Sequence, residues 1–358
     1  MKLGARMLKT GIAITLALYL AQLLQIPAPI FAGIAAIFAI QPTIYRSYLS
    51  ILEQIQGNVI GALIAIVFVL LFGNHIVFIG LAAVIVIIIM VKLKLENSIR
   101  LALVTIIAIM EAPADDFLHF ALLRSSAILL GILSSFAVNL VFLPPKHETR
   151  LFQSISGPTE DIIKWMRLAT RFASEDKLLK RDLGNMKKQI SQMNQLYTMF
   201  QEERRLFKKH EFAKLRKLVI YRQMILVTQK SLDILKLQYR YENILHQLPE
   251  SLQMHTRERL DYLLSYHEQL LLKFTGHVRP EIELDAFSEG IFNRDQLMDA
   301  FIKEIKKSKD EDDFQPYHLM HILSATIEYE EQLEQLEKLI RSFQTYHKKE
   351  SELTIAEM

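Results

Sequence analysis

The sequence predicts an all-α protein in two parts, a six-span transmembrane helical domain over residues 1–146 and a cytoplasmic helical bundle over residues 147–358. Three observations lead there. Long apolar runs crowd the first part. Charge is partitioned: residues 1–146 hold 9 of the 42 Lys and Arg and 5 of the 39 Asp and Glu. Finally, Pro144-Pro145 stop the last apolar run, since neither residue continues a helix, and helical periodicity resumes beyond them.

The apolar segments lie at about 8–25, 29–42, 57–73, 75–91, 97–112 and 117–143. The first, third, fourth and sixth approach the ~20 residues that a bilayer core requires, with some local thinning. The N-terminus MKLGARMLKTGIAITLALYL carries basic residues before an apolar core, as a signal peptide does. Five more apolar segments follow without a small-x-small cleavage site, so it reads as a retained first span. With six spans, Lys2, Arg6, Lys9, Arg46, Lys92, Lys94, Arg100, Lys146 and Arg150 all fall on one side. The positive-inside rule then places both termini in the cytoplasm of a multi-pass plasma-membrane protein.

The second and fifth segments are short and end in a polar residue and a proline: IFAIQP reaches Gln41-Pro42, and IIAIMEAP carries Glu111 and Pro113. Short proline-interrupted segments in matching places of two halves point to a transport site, and the plan fits a 3+3 inverted repeat. Gly57-Asn58…Gly61 in the third segment and Arg124…Gly131 in the sixth each set a polar residue before a helix-face glycine. Packing glycines alone give the same pattern.

Each polar residue admits two readings. Arg124, deep in the sixth segment, either coordinates an anion through its planar fork, or snorkels to headgroups or pairs with Glu111, Asp115 or Asp116. Glu111 either carries a coupling proton or is a solvated loop carboxylate. Gln41 either binds substrate or satisfies carbonyls freed by Pro42. Asn58 either lines the path or bridges helices, as does Asn139. The candidate path is therefore Gln41, Pro42, Asn58 and Arg124, with Glu111 for the proton. Two short segments leave lipid-facing backbone that a partner would cover, so a homodimer is expected.

The second part reads as helices over about 147–173, 175–208, 210–247, 250–275, 285–308 and 316–347. Ser174 is expected as an N-cap, Pro249 at a helix start and Gly276 at a C-terminus, with Pro280 beyond. Thr326, Tyr329, Leu333, Leu336, Ile340 and Phe343 follow 3-4 spacing for under three heptads, which predicts a seam inside a bundle. Trp165 is expected in that core. The basic runs Arg204 to Lys217 and Lys303 to Lys309 are either solvated helix faces or lie against anionic lipid.

Several classes find no residue-level support. Net charge is +3 with no basic face, so no nucleic-acid partner is expected. There is no cysteine. His318 and His321 share a helix face without an acid beside them, so no metal is expected. Glycine-rich phosphate loops and GxSxG are missing, so neither cofactor nor enzyme activity is expected.

AIFAIQPTIYRSYLSILEQIQGNVIGALIA (Ala36 to Ala65) and KLKLENSIRLALVTIIAIMEAP (Lys92 to Pro113), on the six-span plan, resemble the aromatic acid exporter family of the fusaric-acid-resistance superfamily. The remainder is similar to the helical C-terminal domain that accompanies this unit in Bacillus-like bacteria. The resemblance implies proton-driven efflux of aromatic or other small organic anions. The related plant malate channels imply a passive anion conductor, with basic residues of the third and sixth spans facing the pore. Arg124 fits that pattern, whereas the third span offers Asn58 at the matching place. A membrane-anchored regulatory or scaffold protein, working through its cytoplasmic bundle, is a further alternative.

Overall fold

Apolar runs in the first part and 3-4 spacing in the second both dictate helix. The computed structural model describes residues 5–41, 44–73, 75–111, 117–141, 147–204, 211–277, 293–307 and 316–346. These residues form thirteen α-helices and one short 3-10 turn, without a strand among them. They fall into two compact units, one within residues 1–145 and one within 146–358. The Pro144-Pro145 stop lies outside the described residues.

The first unit contains α1 (Ala5–Leu23), α2 (Ile30–Ala39), α3 (Ile44–Phe72), α4 (Ile76–Lys92), α5 (Ile99–Met110) and α6 (Phe117–Val141). Tyr45–Phe72 and His119–Val141 are long and apolar enough to cross a membrane. The 19 residues of α1 and 17 of α4 reach roughly 25–29 Å at 1.5 Å per residue, near the hydrocarbon thickness. One expectation is corrected. The third segment starts at Ile44 instead of 57, so Arg46, Glu53 and Gln54 belong to one continuous helix of 29 residues. Nothing between Ile44 and Gly57 breaks the helical hydrogen bonds: the stretch has neither proline nor glycine.

Helix α2 stays short for local reasons. Pro27-Ala28-Pro29 precede it, with Ala28 in the left-handed region (φ 61°), and the chain becomes extended at Ile40. Its face is almost all alanine. Ala32, Ala35, Ala36 and Ala39 are buried, which lets backbones approach closely where lipid supplies no hydrophobic drive. An alanine core joins Ala17 and Ala21 of α1, Ala32 and Ala36 of α2, and Ala127 of α6. A second core joins Ala65 of α3, Ala82, Val86 and Met90 of α4, and Ala102, Ile106 and Ile109 of α5.

The two short helices exchange partners. Helix α2 packs chiefly on α6 and α5 chiefly on α3, while each touches the third helix of its own triplet only slightly. Register gives the directions. Ser98 and Ala102 lie against Gly57 and Gly61 in turn, so α5 runs parallel to α3. Phe31 meets Arg124 and Ala36 meets Ser135, so α2 runs parallel to α6. Phe38 meets Gln54 and Gln41 meets Ser50, so α2 runs antiparallel to α3. Helix α3 is thus antiparallel to α6.

The second unit contains α7 (His147–Ala169), α8 (Asp176–Arg204), α9 (Glu211–Arg240), α10 (Glu242–His246), α11 (Glu250–Phe274), α12 (Arg294–Lys307) and α13 (Pro316–Tyr346). All six residues of the predicted seam are buried to 2% exposure or less, and from Tyr329 to Phe343 they join one core with α7, α8, α9 and α11. Trp165 packs against that core. Pro249 caps α11. Gly276 ends it with φ 81°, and the amides of Gly276 and His277 bond back to the carbonyls of Lys273 and Leu272. Three boundaries differ from expectation. Helix α8 begins at Asp176, leaving Ser174 outside; the stretch 210–247 divides at Tyr241 into α9 and α10; and α7 runs through Pro158 and stops at Ala169. Pro280 and residues 205–210 of the basic run from Arg204 lie outside the described residues.

Candidate functional site

The middle of the first unit contains polar groups whose placement follows from the broken helices. The last carbonyls of any helix lack intrahelical partners, and in lipid no water replaces them. Two neighbours supply donors for α2: Ser135 of α6 donates to the Ala36 carbonyl at 2.7 Å, and Gln54 Nε2 of α3 to the Phe38 carbonyl at 3.1 Å. Gln54 Nε2 also lies 2.7 Å from Ser50 Oγ, which Gln41 Nε2 reaches at 3.5 Å. Gln41 is half-buried at the end of this group. Pro42 lies outside the described residues.

Arg124 is the largest polar group in this interior, at 2% exposure. Its Nη2 donates to the Val104 carbonyl of α5 at 2.6 Å, and its guanidinium carbon stands 3.6 Å from the Phe31 ring centroid on α2. Nε and Nη1 are buried and without a partner. The side chain therefore points inward among three helices, and the snorkelling alternative is corrected. A guanidinium in this state offers strong donors for a carboxylate, and the aromatic face adds on the order of 1–2 kcal/mol towards holding the cation. Each buried, unmade hydrogen bond to a charged group costs at least ~1–3 kcal/mol, so an anion that takes both nitrogens recovers that cost.

The remaining predicted residues separate. Asn58 is buried and its Oδ1 accepts from Thr105 Oγ1 at 3.0 Å, so it bridges α3 and α5. Asn139 Oδ1 accepts from Lys9 Nζ at 3.2 Å and bridges α6 to α1. Glu111 is exposed one residue past α5. It lies seven residues beyond Val104, about 10 Å along the helix, so it is not beside Arg124. His318 stacks on Tyr241 with ring centroids 4.5 Å apart, and no group of three or more His, Cys, Asp or Glu among the described residues is placed to hold a metal.

A constant displacement relates the two triplets. Gly61 and Gly131 are 70 positions apart, and so are Ala32 and Ala102, Gln41 and Glu111, and Gln54 and Arg124. The same shift superposes the limits of α1 on α4, α2 on α5 and α3 on α6 within three residues. The contacts follow it. A Cβ on Gly61 would sit 3.0 Å from the Ala102 carbonyl, and one on Gly131 would collide with that of Ala32. Asn58, expected to match Arg124, is therefore replaced in that role by Gln54. Both lie seven residues before the crossing glycine, and each donates to a carbonyl of the short helix in its own triplet. The fixed spacing was available in the sequence, but only the crossings show which pairs carry it.

Comparisons with known proteins match the first unit separately and the chain along its whole length. Residues 1–142 match the profile described as aromatic acid exporter family member 1. The UPF0421 protein YgaE of Bacillus subtilis is 52% identical over 357 residues, spanning 100% of both chains. UPF0421 protein OB2406 of Oceanobacillus iheyensis is 31% identical over 45% of this chain and 46% of its own. UPF0421 protein SAUSA300_1870 of Staphylococcus aureus is 32% identical over 43% and 47% respectively. The full-length relative and the profile over the unit that holds Arg124 together place the chain: it belongs to the UPF0421 proteins, and its residues 1–142 belong to the aromatic acid exporter family.

Proposed function

We propose that this protein is a secondary transporter of the bacterial plasma membrane that exports aromatic or other small organic acids. The observation that carries the reading is Arg124, a buried cation with two unpartnered nitrogens inside the apolar unit of an exporter-family chain. The unit crosses the bilayer six times as a 3+3 inverted repeat, with α2 and α5 as its short, interrupted members. The 70-residue displacement and the antiparallel α3 and α6 support this. The one-sided distribution of Lys and Arg supports cytoplasmic termini and a cytoplasmic second unit. The protein acts as a homodimer and as a transporter, not an enzyme. Carboxylates bind at Arg124, and Glu111 supplies the proton that couples movement to the gradient.

One observation favours a second reading. Among the described residues of the first unit, every buried charged residue is basic, Lys9 or Arg124, and Glu111 is exposed. A passive anion channel needs no buried acid. Proteoliposomes with and without an imposed pH gradient separate the two. Uphill accumulation of p-hydroxybenzoate supports coupled transport; movement that only dissipates its own gradient supports the channel; no movement contradicts both.

A further inference from the structure

We propose that Gln54 forms a second substrate station, the repeat counterpart of the Arg124 station, and that it takes an O–H donor of the substrate. The proposal rests on the transporter reading above. Its basis is the paired geometry. Each residue lies two turns before a crossing glycine, and each uses one nitrogen on a carbonyl of a short helix: Phe38 for Gln54 at 3.1 Å and Val104 for Arg124 at 2.6 Å. Because α3 and α6 are antiparallel, the two lie on opposite sides of the glycine level, each about 10 Å from it along its helix. A small acid cannot touch both at once and so visits them in turn.

The repeat preserves the position and inverts the chemistry that remains free. Arg124 presents Nε and Nη1, which are donors; Gln54 presents Oε1, an acceptor that is buried and unpartnered. The amide orientation is determined by its surroundings, because the Phe38 carbonyl accepts only and a flipped amide would set oxygen against oxygen. Ser47 lies two turns earlier on the same face of α3, and its Oγ is also buried and unpartnered. The Gln54 acceptor suits a neutral O–H group and offers a carboxylate much less than Arg124 does, and the Ser47 hydroxyl, about 10 Å further along α3, continues the same polar face. The substrate supplies that O–H either as a ring hydroxyl or as a protonated carboxyl.

The test compares p-hydroxybenzoate with p-methoxybenzoate in proteoliposomes across a pH series, with the flux of protein-free liposomes subtracted. Gln54→Lys keeps a donor for the Phe38 carbonyl and has no acceptor; Gln54→Met has neither; Ser47→Ala leaves the bond to α2 intact. If the ring hydroxyl is the donor, wild type prefers the hydroxy acid, and the two Gln54 variants lower that preference about tenfold, the loss of one hydrogen bond. If the carboxyl proton is the donor, both acids move alike, and the Gln54 variants lose the acid-side rise in flux for both. Ser47→Ala gives a smaller change in the same direction. Wild type with neither a hydroxyl preference nor an acid-side rise overturns the proposal, as does an unchanged ratio and pH profile in any of these variants that inserts. Wild type that moves neither acid overturns the transporter reading as well.

Discussion

The guanidinium carbon of Arg124 lies 3.6 Å from the centre of the Phe31 ring, so α2 covers one face of the charge while the Val104 carbonyl of α5 holds one corner. The two short helices of the unit thus meet at the one buried arginine of α6.

Arg124→Ala is expected to remove at least nine-tenths of organic-anion flux while the protein still inserts and remains monodisperse. Arg124→Lys keeps the charge but loses the planar fork and the stacking, and is expected to be intermediate. Flux assays beside size-exclusion profiles check both variants.

Gly131→Ala drives a methyl group into the Ala32 carbonyl, where backbone must move and no side chain can give way. Unfolding in detergent is expected at least ~2 kcal/mol easier, in the range of overpacked cores. Gly61→Ala, at 3.0 Å from the Ala102 carbonyl, is expected to cost less, and Gly80→Ala, with nothing within 4 Å, to be close to neutral. Thermal stability of the three purified variants gives the order.

Glu111→Gln is expected to leave substrate binding unchanged and to flatten the pH dependence of flux. The carboxylate is exposed, so no structural loss should accompany the change. Flux against pH checks it, and an unaltered profile removes Glu111 from the coupling step.

His267 in the second unit is fully buried against Tyr329, with Nδ1 2.9 Å from the phenol oxygen. Burial pushes its pKa from 6.5 down to about 3 and raises that of Tyr329 well above the usual phenol range. A depressed histidine pKa means that the unfolded chain binds the proton first. Stability from this group is therefore full above about pH 6.5 and is lost as pH falls towards 3. Melting of the second unit should show that slope between pH 7 and 4, and His267→Gln should reduce it.

Much of this molecule was legible in its sequence, and the reasons are local. The seam from Thr326 to Phe343 is a 3-4 pattern that remains valid because every one of its residues faces the core. Pro249 and Gly276 end α11 where their backbone restrictions require. The N-terminal half of α3 reads in the sequence as a separate interfacial cytoplasmic helix because Arg46, Glu53 and Gln54 interrupt its hydropathy without interrupting its hydrogen bonds. The sequence places Gln54 in that interfacial helix, or second in an inner gate, and not opposite Arg124, for a different reason. Asn58 stands beside Gly57 and looked like the partner of Arg124, whereas pairing depends on which glycine crosses which helix, a tertiary fact. Ser135 and Lys9 escaped notice likewise, since their partners are 99 and 130 residues away.

The central claim, that this unit carries organic anions through a site centred on Arg124, is tested most directly by p-hydroxybenzoate flux in proteoliposomes of wild type and Arg124→Ala. The account predicts protein-dependent flux in the wild type and its loss in the variant at equal protein incorporation. Equal flux in the two, or none in either with the fold intact, would contradict it.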